Sequence, residues 1–404
     1  MELTEGKSIS AVIAKPDASS KNWYFGLDGV RALAVLLVFS VHFMAQPTAS
    51  AGWTGVLLFF VLSGFLITGL LYDNQDEPFR FRNFYIRRTL RIFPLFYFSW
   101  LLVLIGGLIL HADFQSSQLL WIVYLGNFLR FMVGSPVQDH IFTAYQGLPL
   151  EIGHFWSLAV EEQFYLVWPL VVFTVRKRST LIRICLLAVV LVPLLRTAFL
   201  FTLPSSILSM EFSYRMILTQ CDGFLLGGLL ALWMRGPEKE WMLRHSHKII
   251  GIPFVAFLVA YLVNNHFRWQ VLSATSPWMS TYGFTLVDLM AAGLILSSLR
   301  PHSAVYRVLT LPPLRLLGKY SYGFYVYHVL MRPFLLCLVG TPTDAVQTSG
   351  QALHLLLSST ICFMAIFAVA ACSYHFVEQP FLKTKDRFTM HHKNPGSENA
   401  LVGG

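Results

Sequence analysis

"FWSLAVEEQFYLVWP", residues 155–169, sets two neighbouring carboxylates, Glu161 and Glu162, inside a run of aromatic and aliphatic side chains. Without that pair the run is a lipid-spanning helix; with it, two costly charges need compensation inside a bundle. Composition decides which solvent the run belongs to. Of 404 residues 55% are hydrophobic and only 13% charged, with a mean hydropathy of +0.58. Soluble domains carry about one quarter charged residues, so the chain reads as a polytopic membrane protein.

Working outward, apolar runs of spanning length recur at about 32–48, 55–72, 92–110, 155–175, 181–203, 214–234, 248–264, 278–298, 320–340 and 353–376. Lipid offers no partner to backbone N–H and C=O groups, so each run is expected to be a helix. The fold class is therefore an all-α membrane protein, a bundle of about ten transmembrane helices.

The net charge of +9 raises the question of nucleic acid, and its distribution answers it. With the N-terminus inside, all but five of the 30 Lys and Arg fall in cytoplasmic segments, the exceptions being Arg130, Arg196, Arg215, Arg268 and Arg332. The positive-inside rule accounts for the basic balance, ten spans return the C-terminus to the cytoplasm, and no nucleic-acid motif is present. Residues 1–22 lack the apolar core of a signal peptide and are expected to form a disordered cytoplasmic tail, as are residues 383–404, around a transmembrane domain at 23–382. Cys185, Cys221, Cys337, Cys362 and Cys372 all fall in proposed spans, with neither metal-ligand spacing nor a disulfide framework. Stretch 119–133, "LLWIVYLGNFLRFMV", is short and carries Arg130; as a span it would put the basic 176–178 outside, so it reads as re-entrant or interfacial. The region 111–154 is long enough for a small cap.

Four stretches carry chemistry. In "GLDGVRALAVLLVFSVHF" (26–43) Arg31 and His42 are eleven residues apart, on one face with Val35 and Val38, His42 roughly 16 Å deeper. Arg31 alone fits a snorkelling anchor equally well; a histidine deep in a span points to general-base work. Counted back from Arg176, Glu161 sits roughly 22 Å along its helix, which brings it toward the depth of His42 in one cavity. Glu161 shares a face with Ser157 and Tyr165, while Glu162 faces the more apolar Leu158 and Leu166. A helix-holding ion pair would explain one carboxylate, less readily two beside a titratable partner. In "FYIRRTLRIFPLFY" (84–97) Arg87 and Arg91 share a face with Arg88 alongside, a phosphate-binding arrangement that on its own is ordinary cytoplasmic anchoring. Late in the chain Ser321, Tyr325 and His328 line one helix, Asp222 precedes Gly223, Gly227 and Gly228, and Glu378 with Pro380 closes the last span. Those glycines suit close helix packing, Asp222 and His328 are candidates for a cavity, and Glu378 for a solvated cap.

Together these stretches resemble the acyltransferase-3 family of integral membrane acyltransferases, mostly bacterial enzymes that O-acylate extracytoplasmic sugars. The resemblance runs from about Leu27 to Pro380. It is carried by Arg31 and His42, by "GVLLFFVLSGFLI" (55–67), "RRTLRIFPLFY" (87–97), "FWSLAVEEQFYLVWP" and "YHFVEQPF" (374–381). It implies a ten-helix bundle in a bacterial inner membrane, with acyl-CoA (acetyl-CoA foremost) as cytoplasmic co-substrate, no tightly bound cofactor and no metal. The partners implied are a carbohydrate or other hydroxyl acceptor on the far side and membrane lipids. Arg31, Arg87, Arg88 and Arg91 would hold the donor, and His42 with Glu161 would carry the transfer. Gln220 departs from the arginine the family has two residues before Asp222, and the tail is too short for the esterase-like domain some members append.

The expected mechanism has His42 take the acceptor's proton while Glu161, with Glu162 as second choice, orients the imidazole. An acyl-enzyme route through Ser63, Ser321 or His42 is equally open, and Tyr165, Ser321 and Tyr325 are expected in support. The rival class is a transporter of a lipid-linked sugar or small molecule, since midplane charges suit proton relays too, although no paired helix repeat is found.

Overall fold

The computed structural model describes residues 25–44, 51–109, 113–114, 116–132, 140–143, 150–203, 206–266, 273–301, 303–340 and 348–389. The first helices are α1 (Phe25–Phe43), α2 (Thr54–Asp73), α3 (Arg80–Ile109) and the single-turn α4 (Leu129–Met132). Then come α5 (Trp156–Val175), α6 (Arg178–Thr202), α7 (Ser206–Arg215), α8 (Ile217–Trp233), α9 (Lys239–Arg244) and α10 (Ser246–His266). The chain continues through α11 (Phe284–Ser298), α12 (Ala304–Leu309), α13 (Pro312–Val339), α14 (Ser349–Ser373) and α15 (Gln379–Phe388). Among the described residues ten helical stretches are long and apolar enough to cross a membrane, α7 with α8 making one of them and α14 with α15 another. The all-α bundle expected from hydropathy is observed. Outside it lies a small antiparallel sheet of β1 (Asp113–Phe114), β2 (His140–Thr143) and β3 (Leu150–Glu151), with Phe114 opposite Phe142 and His140 opposite Glu151.

Successive spans alternate in direction, so Arg31, Arg88, Arg176, Arg235 and Lys319 gather at one end of the bundle. We call it the basic end and the other the far end. Ion pairs at the basic end lock neighbouring turns, Arg235 to Asp73 at 2.5 Å, Arg178 to Glu238 at 2.5 Å and Arg176 to Asp76. Between spans, small residues let backbones meet: a Cβ on Gly64 would run into the carbonyl of Phe224, and one on Gly227 into that of Val61, which fuses α2 to α8.

Two irregularities position the site. The sixth span breaks at Met216, which is extended (φ −104°, ψ 141°). Lipid would leave carbonyls freed by the break unpaired, and neighbouring side chains meet those around it, Phe212 O also keeping its helical bond from Met216 N. Thr219 Oγ1 donates to Phe212 O at 3.1 Å, Gln220 Nε2 to Ser213 O at 2.9 Å, and Asn127 Nδ2 to Arg215 O at 3.2 Å. Stretch 119–133 does not cross the bundle; 3₁₀ turns at Ser116–Val123 and Gly126–Phe128 and α4 fold it against α3, α5 and the break. Helix α15 carries regular structure to Phe388, past the boundary expected at 383, while the tail at 1–22 and the chain beyond 389 lie outside the described residues.

Candidate active site

On α5 the i, i+4, i+8 series Ser157, Glu161 and Tyr165 faces inward and meets Ser63 of α2, Arg88 and Arg91 of α3, Arg31 of α1, and Ser321 and Tyr325 of α13. These line a cavity of about 900 Å³, its mouth included. Arg31 pairs with Asp28 one turn earlier at 2.7 Å and still lines the cavity. The Arg88 guanidinium lies over the Tyr165 ring, 4.9 Å from its centre. The Tyr165 hydroxyl donates to Glu161 Oε2 at 3.1 Å, so its oxygen accepts from the Ser63 hydroxyl, which touches it. Three guanidinium groups against one carboxylate give the cavity a positive field, suited to phosphates and to a developing oxyanion.

A second cavity of about 780 Å³ toward the far end is lined by His42 of α1, His328 of α13, His154 and the aromatic rings of Trp53, Trp156 and Tyr214. His328 Nδ1 lies 2.5 Å from Tyr325 O, and His154 Nε2 lies 3.1 Å from Val326 O. A carbonyl only accepts, so those nitrogens carry the hydrogens, and the lone pairs of His328 Nε2 and His154 Nδ1 are left buried without a partner. Ring centroids of His42 and His328 are 5.0 Å apart, and those of His154 and His328 5.2 Å. Arg332, one of the five basic residues outside the cytoplasmic pattern, donates to His42 O at 3.1 Å.

The two cavities share Val56 and Tyr325. Tyr325 donates its hydroxyl to His154 O at 2.9 Å and accepts from Ser157 Oγ at 2.5 Å, so its ring forms a fixed partition. This corrects the expected geometry: His42 and Glu161 line different chambers and do not form a dyad. Arg176, from which that depth is counted, bonds to Gln75 O and Asp76 in the turn between α2 and α3. His154, seven residues before Glu161, reaches the level of His42 instead.

The remaining candidates disperse. Glu162 lines a side cavity with Arg88, and Arg87 turns to a separate cleft with Arg80 and Asn83 at the basic end. Asp222 lines neither chamber. It is 1% exposed and pairs with the fully buried Arg196 of α6 at 2.8 Å, while Thr285 donates to it at 2.7 Å. Gln220, standing where the family has arginine, serves the helix break, and a neighbouring helix supplies the arginine that pairs with Asp222. Glu378 is buried in a π turn, Tyr374–Glu378, not a solvated cap. Sequence reasoning missed His154, although it immediately precedes the motif that holds Glu161, and Arg196, although its exception to the positive-inside rule marked it. Among the described residues no group of ligating side chains is placed to hold a metal.

Comparison with known proteins agrees with this architecture. A family model described as an acyltransferase domain matches residues 24–376. The peptidoglycan O-acetyltransferase OatA of Listeria monocytogenes is 26% identical over 90% of this chain and 56% of its own length. A putative O-acetyltransferase of Staphylococcus aureus is 28% identical over 89% and 57%, and the putative peptidoglycan O-acetyltransferase YrhL of Bacillus subtilis 31% over 88% and 54%. The chain thus spans a little over half the length of these curated relatives, and no solved structure matches it. A match across nearly every span, on a multi-pass bundle whose motif residues line adjoining cavities, establishes that the chain belongs to the acyltransferase-3 family of integral membrane acyltransferases.

Proposed function

We propose that the protein moves an acyl group, acetyl foremost, from acyl-CoA at the basic end to a hydroxyl of a saccharide at the far end. The observation that carries this is a pair of chambers meeting at Tyr325, one holding Arg31, Arg88 and Arg91 and the other three histidines. By the positive-inside rule the basic end is cytoplasmic, where acyl-CoA is made. Its phosphates pair with the guanidinium groups, and the thioester points toward Ser63 and Glu161. In the far chamber the rings of Trp53, Trp156 and Tyr214 offer a face to a sugar, as they would to peptidoglycan, the substrate in the relatives' names.

His42 takes the proton from the acceptor hydroxyl, with the lone pairs of His328 and His154 beside it; the oxygen attacks the acyl carbon and the C–S bond breaks. The thiolate leaves in the field of Arg31, Arg88 and Arg91 and takes a proton from water at the basic end, while the proton on His42 passes to water in the far chamber. Displacement of Tyr325 opens the partition, whether the acyl group passes directly or from an acyl-enzyme on Ser63 or Ser321, which both line the donor chamber.

Purified protein in liposomes, given labelled acetyl-CoA on one side and a glycan oligomer on the other, tests the reading. Label in the glycan together with free CoA is expected. Unmodified saccharide crossing the vesicle with no CoA released would instead favour the transporter.

A further inference from the structure

A third cavity, about 700 Å³ with its mouth, opens on the lipid-facing side of the bundle between α3, α5 and the folded segment 116–132. Its rim is apolar and exposed, with Val123 at 59%, Leu125 at 41% and Leu166 at 61%. Its floor is polar. Glu162 and Gln163 line it and Tyr124 covers it, and Glu162 Oε1, Gln163 Oε1 and the Tyr124 hydroxyl are buried without a hydrogen-bond partner. Buried polar atoms left unpaired cost free energy, the more so at membrane depth, and Glu162 stands ten residues into the 23-residue span Gly153–Val175. Three orphans in one cavity point to a ligand that completes them.

The roof is built for this place. Tyr124 holds a left-handed backbone (φ 56°), strained for a tyrosine, and its ring stacks on Phe93 and Phe96 with centroids 5.6 and 4.3 Å away. Gln163 Nε2 donates to Tyr124 O at 2.9 Å and to Asn127 Oδ1 at 3.0 Å, which ties roof to floor.

We propose that this cavity binds the neutral, hydroxyl-bearing head of a membrane amphiphile, a sugar- or glycerol-headed lipid entering sideways from the bilayer. Two carbonyl-type acceptors and a phenol call for hydroxyl donors. A phosphate fits poorly: it would face the Glu162 carboxylate, with Arg88 the single guanidinium among the lining residues. The exposed rim accommodates the tails. Because Arg88 and Tyr165 also line the central cavity, the bound head sits one side chain from the acyl-transfer chamber. The binding itself does not depend on the acyl-transfer reading.

The test is native mass spectrometry of the full chain in nanodiscs, with glucosyl-diacylglycerol as the probe and phosphatidylglycerol as competitor. One glycolipid retained per chain and not displaced by phosphatidylglycerol is expected. Tyr124→Phe combined with Gln163→Leu, and separately Leu125→Trp across the mouth, should each weaken retention about tenfold. Leu125 is on the surface, so its variant should keep the wild-type melting temperature and guard against misfolding as the explanation. Equal retention of phosphatidylglycerol, unchanged retention in both variants, or water alone in the cavity would overturn the proposal. Acyl transfer to a soluble glycoside that persists without glycolipid retention would sink this inference and leave the enzyme reading intact. Specific retention in a chain that transfers no acyl group would do the reverse.

Discussion

His42 and His328 sit within one ring's reach of each other, and of the three chamber histidines only His154 and His328 have their tautomers set by backbone carbonyls. If His42 is the base, His42→Ala should lower acyl transfer about 10²–10⁴-fold, with membrane insertion and CoA binding unchanged; activity near wild type would remove it from the mechanism. A different logic governs Arg196 and Asp222, which touch no chamber. Removing one partner of a buried pair strands the other charge, at a cost of about 3–5 kcal/mol. Arg196→Leu should therefore depress the melting temperature and yield in detergent, while Arg196→Leu with Asp222→Leu should recover most of the loss. An Arg196→Leu variant that is stable but inactive would argue for a chemical role instead. Asp222 looked like a site residue because a carboxylate in a span is costly, and the cost does not reveal whether substrate or a neighbouring helix meets it.

Among the elements, the broken sixth span turns a sequence oddity into structure. Gln220 and Thr219 donate back across the break to the carbonyls of Ser213 and Phe212. Gln220→Leu is expected to cost about 1–3 kcal/mol, the desolvation penalty of an unmet acceptor, read as a lower melting temperature; no change would mean that Thr219 and Asn127 hold the break without it. Hydropathy located all ten spans but trimmed several at their polar ends. It began the third near residue 92, whereas α3 starts at Arg80 and carries the whole arginine cluster within the helix. Once in the helix, Arg88 and Arg91, three apart, share the face turned to the central cavity, while Arg87 lies about 100° round the axis from Arg88 and turns to the cleft at the basic end.

For the molecule as a whole, the feature that matters is a bundle hollowed from two ends with a single tyrosine between. Tyr325→Ala removes both the ring and the hydroxyl that bonds His154 O and Ser157. Joining the chambers should admit water to the thioester, so hydrolysis of acetyl-CoA without acceptor is expected to rise while transfer to glycan falls. Measured as free thiol against labelled glycan in the same vesicles, an unchanged ratio would deny Tyr325 its partitioning place. The basic end's ion pairs between loops keep the spans in register at the face where the donor is proposed to arrive.

Membrane class, the number of spans and the residues worth suspecting were determined by the sequence alone. Hydrophobicity over twenty residues and the energetic cost of charge in lipid are local properties that need no knowledge of neighbours. Which suspects share a chamber was decided only by the tertiary structure. A count along the chain fixes neither how far each helix runs nor which way it turns, and it does not see the break at Met216. Packing parts His42 from Glu161, gives Asp222 to Arg196, and brings His154 to His328, because depth and azimuth are set by what each helix packs against.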